Sequence, residues 1–558
     1  MKKIRLNILL VIVLIFSGVL GFRLYQLQVT EANYWSGRAE RQHQINQEAE
    51  GSRGSVFVQN TEGEAIPLAV NRTWQKAYLS PRKIEEKNEN KNEIALQLSD
   101  ILDIDLKSIE EGINRDSSFQ VLKRRLTDEE VNAVQDLDYE GVNLREEEVR
   151  YYPQGDFASH IIGFVGGLDQ GQYGVEGYYN NILSGSRGVR EGVRRNPAGS
   201  LITEDSARTG ASIDLTIDYN IQFMAEKLLS ESAEELEAVS GTVIVGDPDT
   251  GKILALANYP DFNPNSYNEV QSIETFKNNA TQSLFEPGSV FKPIVMAMGL
   301  EEGVVEVGDT YYDEGYVEVS GHRLHNYGQR EWGEVDMAKI MKESINTGMV
   351  HVQQRLNNEV FLDYLKKFGF FERTDIDLQG EVYSENLTFK EGYDVNFANA
   401  SFGQGIKVTP IQLFNSFLVL ANGGELVKPH LAENFNSEPE TKREVISSET
   451  TSEITSMLIN VVEDGTAQRA KIPGYYIAGK TGTAQIPWSS LGENRRGYSG
   501  ETVQTFIGYG PLNSEFIILV SMDRPNSRTA GSSVVPVFRD LAKYIIDYKQ
   551  IPPDYVRE

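Results

Sequence analysis

Apolar positions recur along this chain with three different periods. From Leu6 to Phe22 they form a nearly unbroken run, interrupted only by the polar Asn7 and Ser17. In Arg53–Val58, Ala65–Val70 and Ile213–Asp218 the pattern is that of short strands, with Asn60-Thr61-Glu62-Gly63 as a turn. Gly241–Gly246 and Lys252–Ala257 predict an antiparallel hairpin around Asp247-Pro248-Asp249-Thr250-Gly251. A second hairpin is predicted for Thr502–Tyr509 and Glu515–Met522 around Gly510-Pro511-Leu512-Asn513-Ser514. Helical spacing appears within 83–115 (Ile94, Leu96, Leu98, Ile101, Leu102), in Ile221–Leu229, in Val335–Glu343 and in Val534–Tyr548. The centre, from about Ser289 to Leu420, reads as mostly helical. Strands, then helices, then strands and a closing helix predict an α+β fold: an antiparallel sheet covered by helices, not a βαβ repeat.

The first run has a different meaning. Seventeen helical residues span roughly 25 Å, close to a ~30 Å hydrocarbon core. Lys2, Lys3 and Arg5 precede it, which places the N-terminus on the cytoplasmic side and the rest outside. Phe22-Arg23-Leu24-Tyr25-Gln26-Leu27-Gln28 continues a helical pattern without a small-residue cleavage site, so an uncleaved anchor is expected. The predicted organisation is a cytoplasmic tip and transmembrane anchor (1–28), a β-rich N-terminal domain (29–210) and a C-terminal domain (211–558). Tyr151-Tyr152-Pro153, His160–Gly166 and Gly174–Tyr178 indicate a tightly turned, glycine-rich part of the N-terminal domain, with His160 as a packed histidine.

Composition narrows the chemistry. At 558 residues the chain can hold more than one core. A formal net charge of −28 excludes the basic surface that nucleic acid requires. With no cysteine, thiolate metal sites, disulfides and cysteine nucleophiles are excluded.

Glu286-Pro287-Gly288-Ser289-Val290-Phe291-Lys292-Pro293 is a turn that opens into the apolar run Ile294, Val295, Met296, Met298, Leu300. Ser289 falls at or next to a helix N-terminus, with Lys292 one turn away on the same face. A lysine among apolar neighbours titrates low and can take a serine proton. S-x-x-K alone is a weak signal; it recurs at Ser80-Pro81-Arg82-Lys83, in a charged stretch with no apolar helix behind it. Ser344-Ile345-Asn346 offers a hydroxyl and an amide, a pattern also present at Ser266–Asn268 and Ser384–Asn386. Lys480-Thr481-Gly482-Thr483 places a cation and two hydroxyls beside a glycine, after the strand-like Tyr475–Ala478. Gly474–Thr481 also matches a phosphate-binding loop, but the four intervening residues read as a strand, and Gly482, Thr483 and Pro487 make a poor helix start.

The ordered set S-x-x-K, S-x-N, K-T-G, following an anchor, resembles that of the class B penicillin-binding proteins, the bitopic transpeptidases of bacterial cell-wall synthesis. Arg53-Gly54, Arg150-Tyr151-Tyr152-Pro153, Gly174-Val175-Glu176-Gly177, Asn258-Tyr259-Pro260 and Gly403-Gln404-Gly405 with Thr409-Pro410 extend the resemblance over nearly the whole chain. It implies the penicillin-recognising transpeptidase fold over 211–558, a non-catalytic pedestal or dimerisation domain over 29–210, a peptidoglycan D,D-transpeptidase activity through a serine acyl-enzyme, and inhibition by β-lactams. Ser289 is then the nucleophile, Lys292 its base and Ser344 a proton relay. Asn346, Lys480, Thr481, Gly482 and Thr483 bind substrate, with the backbone N–H groups of Ser289 and Thr483 as oxyanion hole. No metal or organic cofactor is implied, and His322-Arg323-Leu324-His325 is expected to be a loop with two ordinary histidines. The implied partners are stem peptides or their lipid-linked precursor, β-lactams, the cytoplasmic membrane, a polytopic glycosyltransferase, and divisome or elongasome proteins. A division role fits Asn346 and Gly403–Pro410 better than an elongation role. A D,D-carboxypeptidase, a β-lactamase-like hydrolase and a non-turnover penicillin sensor or scaffold use the same serine and stay open at this stage.

Overall fold

The computed structural model describes residues 16–18, 20–22, 44–49, 51–60, 62–167, 169–185, 188–195, 199–204, 209–435 and 440–555. It divides into two compact units, one of 1–54 with 184–211 and one of 55–183 with 212–558. In the smaller unit, strand Gly188–Arg195 pairs antiparallel with both Gln44–Ala49 and Gly199–Glu204. Among the described residues no helix is long and apolar enough to cross a membrane. Most of the anchor expected over Leu6–Phe22 lies outside them.

In the larger unit the pedestal is built on a sheet in which the long strand Ala65–Leu79 pairs with Val56–Gln59, Gln120–Lys123 and Val142–Tyr151. Helices Pro81–Glu86, Lys91–Leu102 and Leu106–Ile113 follow, as the spacing predicts. Ile94, Leu98 and Leu102 recur at i, i+4, i+8, and all three are buried against Ala77 and Leu79. Each such burial contributes about 1.5–3 kcal/mol. Leu96, off that stripe, faces solvent. Ile213–Asp218 pairs in parallel with Val56–Gln59 and so completes this sheet.

The second five-stranded sheet carries the site. Its strands are β1 (Ser240–Gly246), β2 (Ile253–Tyr259), β3 (Ala478–Pro487), β4 (Tyr498–Gly510) and β5 (Phe516–Asp523), ordered β2-β1-β5-β4-β3 with every pair antiparallel. The central strands are buried on both faces, because helices cover the sheet from two sides. One layer contains α1 (Tyr219–Glu235) and the closing α6 (Val534–Lys549). The other contains α2 (Lys292–Glu301), α4 (Pro410–Ala421) and α5 (Ser448–Asp464), with α3 (Asn346–Leu356) packed on α2. The two predicted hairpins and the closing helix are all present.

Three local readings need correction. Val335 belongs to strand Gly333–Asp336, paired with Thr310–Asp313; the helix starts only at Met337, because the Asp336 side chain caps the Lys339 N–H. His322–His325 is a strand, paired with Tyr316–Val319, rather than a loop. The strand read at Tyr475–Ala478 begins at Ala478 and runs through the K-T-G residues instead of ending before them.

Candidate active site

The turn before α2 is held from two sides. Gly288 has φ +60°, and its N–H donates to the Gly403 carbonyl at 3.0 Å. At Gly403, itself at φ +80°, a Cβ would lie 2.1 Å from the Gly288 oxygen, so the glycine of Gly403-Gln404-Gly405 is required by close approach. Ser289 lies in a single 3-10 turn, Gly288–Phe291, that continues directly into α2 at Lys292. The Ser289 side chain is half-buried and makes no hydrogen bond among the described residues. Catalytic hydrogen bonds in a ligand-free enzyme are commonly long and close only on substrate.

Strand β3 passes over this turn. Its residues alternate, so Lys480, Gly482 and Ala484 point inward while Thr481 and Thr483 lie on the opposite, more open side. A Cβ at Gly482 would meet the Pro287 oxygen and Val290 Cγ1 at 3.0 Å each, so glycine is what lets the strand come this near the serine turn. Thr483 Oγ1 accepts from the Ala530 N–H at 3.2 Å, leaving its proton free to donate. Thr481 Oγ1 makes only a long 3.4 Å contact with Thr466 Oγ1.

Ser344 sits between the two lysines. Its φ of +59° is rare for a non-glycine residue; the turn carries both its hydroxyl and its carbonyl towards Lys292. Lys292 Nζ is 2.5 Å from the Ser344 carbonyl oxygen, 2.7 Å from Asn346 Oδ1 and 3.1 Å from Ser344 Oγ. Lys480 Nζ reaches the same Ser344 Oγ at 3.0 Å and the Thr481 carbonyl at 3.2 Å. Both lysines have 0% exposure, and neither has an ion-pair partner among the described residues. Burial lowers Lys292 well below the usual lysine value, and the neighbouring Lys480 lowers it further. Burial alone brings Lys480 down to about 7. A neutral Lys292 amine has two protons, which the Ser344 carbonyl and Asn346 Oδ1 can take, leaving its lone pair for a hydroxyl.

The structure thus joins Lys292, Ser344, Asn346 and Lys480 by hydrogen bonds and lays Gly482, with Thr483 next to it, over the turn that carries Ser289. The phosphate-loop alternative lacks its geometry: Gly474–Thr481 leads into a strand, and Lys480 is turned inward. His160 is buried, 2.8 Å from the Thr275 carbonyl, and burial holds its pKa down to about 4, as expected for packing. Two groups were missed. Glu286 is buried just before the serine turn, where desolvation raises its pKa, and it accepts from Tyr498 Oη at 2.9 Å. Asn326 reaches the backbone of Asn346 from twenty residues upstream. A carboxylate beside Pro287-Gly288 was a visible signal; an asparagine in Asn326-Tyr327-Gly328 reads only as a turn.

These elements define a penicillin-binding transpeptidase fold carrying its serine–lysine cleft. The penicillin-binding protein transpeptidase domain model matches residues 241–543, and the penicillin-binding protein dimerisation domain model matches 48–214. The chain belongs to the penicillin-binding protein family, in its class B. It is 30% identical to a peptidoglycan D,D-transpeptidase FtsI homolog of Mesostigma viride, over 98% of this chain and 96% of that one. It is 29% identical to stage V sporulation protein D of Bacillus subtilis, over 97% and 85%. Penicillin binding protein 2X of Streptococcus thermophilus shares the fold at a TM-score of 0.70, with 21% identity over 90% of this chain and 80% of that one.

Proposed function

We propose that Ser289 performs the chemistry of this peptidoglycan D,D-transpeptidase, with Lys292 as its base. Serine Oγ attacks the carbonyl carbon of the penultimate D-Ala of a stem peptide, and its proton passes to the neutral Lys292 amine. The peptide C–N bond breaks. The terminal D-Ala amine takes a proton through the Ser344 hydroxyl, which lies within 3.1 Å of Lys292 Nζ and 3.0 Å of Lys480 Nζ. Lys480 supplies positive potential, while the Thr481 and Thr483 hydroxyls hold the substrate carboxylate. The Asn346 amide orients Lys292 and the substrate. Backbone N–H groups of Ser289 and Thr483 receive the oxyanion, an effect worth about 3–4 kcal/mol per donor. An amine of a neighbouring stem then attacks the ester, cross-links the two strands and restores Ser289. β-Lactams stop at the acyl-enzyme.

The observation that carries this reading is the convergence of two buried, unpaired lysines on one hydroxyl beside the serine turn. Perturbed, uncompensated cations of this kind belong to reactive sites more than to packing. The hydrolase alternatives use the same acylation and differ only in admitting water. The domain boundaries 29–210 and 211–558, an uncleaved single-pass anchor over Leu6–Phe22 with the catalytic domain outside, and a polytopic glycosyltransferase partner complete the proposal. Its test is labelled penicillin on the full chain, with the adduct mapped by peptide mass. The adduct is expected on Ser289 alone, absent in Ser289→Ala and unchanged in Ser80→Ala; an adduct on any other serine would overturn the assignment.

A further inference from the structure

Helix α3 begins at Asn346 without a side-chain cap of its own, because Ile345 occupies the capping position. The missing acceptor arrives from elsewhere. Asn326 Oδ1 accepts from the Asn346 N–H at 2.9 Å and the Thr347 N–H at 3.1 Å. Its Nδ2 donates to Asp313 Oδ2 at 2.8 Å, Asp313 Oδ1 at 3.0 Å and the Arg330 carbonyl at 3.1 Å. Oxygen towards two N–H groups and nitrogen towards a carboxylate leave the amide one orientation. Asp313 is held in turn by the Gly315 and Trp332 N–H groups, both at 3.0 Å, and by Thr347 Oγ1 at 2.6 Å. Asn326 is 4% exposed, and Asp313 and Thr347 are 1% exposed each. Next to it, the His325 carbonyl accepts Asn346 Nδ2 at 3.1 Å, which turns Asn346 Oδ1 towards Lys292.

We infer that Asn326, clamped by Asp313, is a positioning residue for acylation: it sets the backbone of Asn346 and, with the His325 carbonyl beside it, the direction of the amide that holds Lys292. This rests on the role proposed above for Asn346. Asn326 touches neither lysine nor serine, so its influence on the rate runs through Asn346.

The test is a double-mutant cycle on the full chain in detergent, reading the second-order rate of acylation by labelled benzylpenicillin and the melting temperature. Asn326→Ala is expected to slow acylation by about tenfold to a hundredfold, as misplacement of a reacting group does. In an Asn346→Ala background the same change should cost less than about twofold, because the coupled partner is already gone. Equal losses in both backgrounds, or no loss in the parent, would overturn the inference while leaving Asn346 in its role. If Asn346→Ala alone acylates at the parental rate, the role of Asn346 falls and the inference with it. Where Asn326→Ala does not fold, Asp313→Asn preserves the side-chain volume and is read in the same cycle by the same criteria.

Discussion

Buried cations are treated in opposite ways in the pedestal and in the cleft. Arg150 in the pedestal is 4% exposed, and its Nε donates to Glu176 Oε1 at 2.6 Å while Nη1 reaches Asn71 Oδ1. Lys292 and Lys480 are buried at least as deeply, yet they face carbonyls, an amide and a hydroxyl. A buried charge without a counter-charge is costly, and the group lowers that cost by shedding its proton. In the pedestal the guanidinium cannot do this, so a carboxylate accompanies it. The difference teaches that the pedestal holds charge for shape, whereas the cleft holds it where a proton must leave.

Predictions that break one arrangement should leave the other intact. The largest effect is expected from Glu176→Gln, which removes the partner of a buried guanidinium and should cost about 3–5 kcal/mol of unfolding free energy. Acylation of the protein that remains folded should keep its parental rate; a loss of rate at unchanged stability would join the two regions after all.

An effect of opposite sense is expected in the cleft. Lys480 is lowered to about 7 in the fold and returns to about 10.5 on unfolding. Between those values the unfolded chain binds a proton that the folded chain does not, so this group's contribution to stability rises with pH from about 7 to 10.5. Lys480→Met should flatten that rise, read as the pH dependence of chemical unfolding compared with the parent. An identical pH slope in both proteins would show that Lys480 titrates normally. The smallest effect is expected at the rim: Thr483→Val should slow acylation by carboxylate-bearing β-lactams by about tenfold, the cost of about one hydrogen bond to a charged group. Its melting temperature should fall slightly, because the Ala530 N–H loses its acceptor, and an unchanged rate would remove Thr483 from substrate binding.

What was legible in the sequence follows the reach of each interaction. Ser289 and Lys292 are one helical turn apart, so spacing and apolar context revealed them together. Lys480, Gly482 and Thr483 were legible only as a motif: the strand that carries them reads as ending at Ala478, because Gly479, Lys480 and Gly482 interrupt the apolar pattern. The helix before Ser344 reads as starting two residues early because Val335, Met337, Ile340 and Met341 fit a helical period; the signal that matters is Asp336 as a cap. The strand at His322–His325 was missed because a short hairpin with charged, exposed residues carries no apolar alternation. Asn326 and the Gly403–Gly288 contact were invisible for another reason: each joins segments far apart in the chain, through contacts no local pattern encodes. The left-handed turn at Ser344 ends a helix, with the Ile345 N–H donating to the Ile340 carbonyl at 3.0 Å, but a serine rather than the usual glycine gives no sign of it.

The most direct measurement is the acylation rate of Lys292→Arg by labelled penicillin, with folding checked by melting temperature. Arginine keeps the positive charge but stays protonated at any accessible pH, so it cannot accept the Ser289 proton. If Lys292 works as the neutral base, acylation should fall by about 10²–10⁴-fold in a protein that still folds. An adduct forming on Ser289 at near-parental rate would contradict the account and leave Lys292 as no more than a source of positive potential.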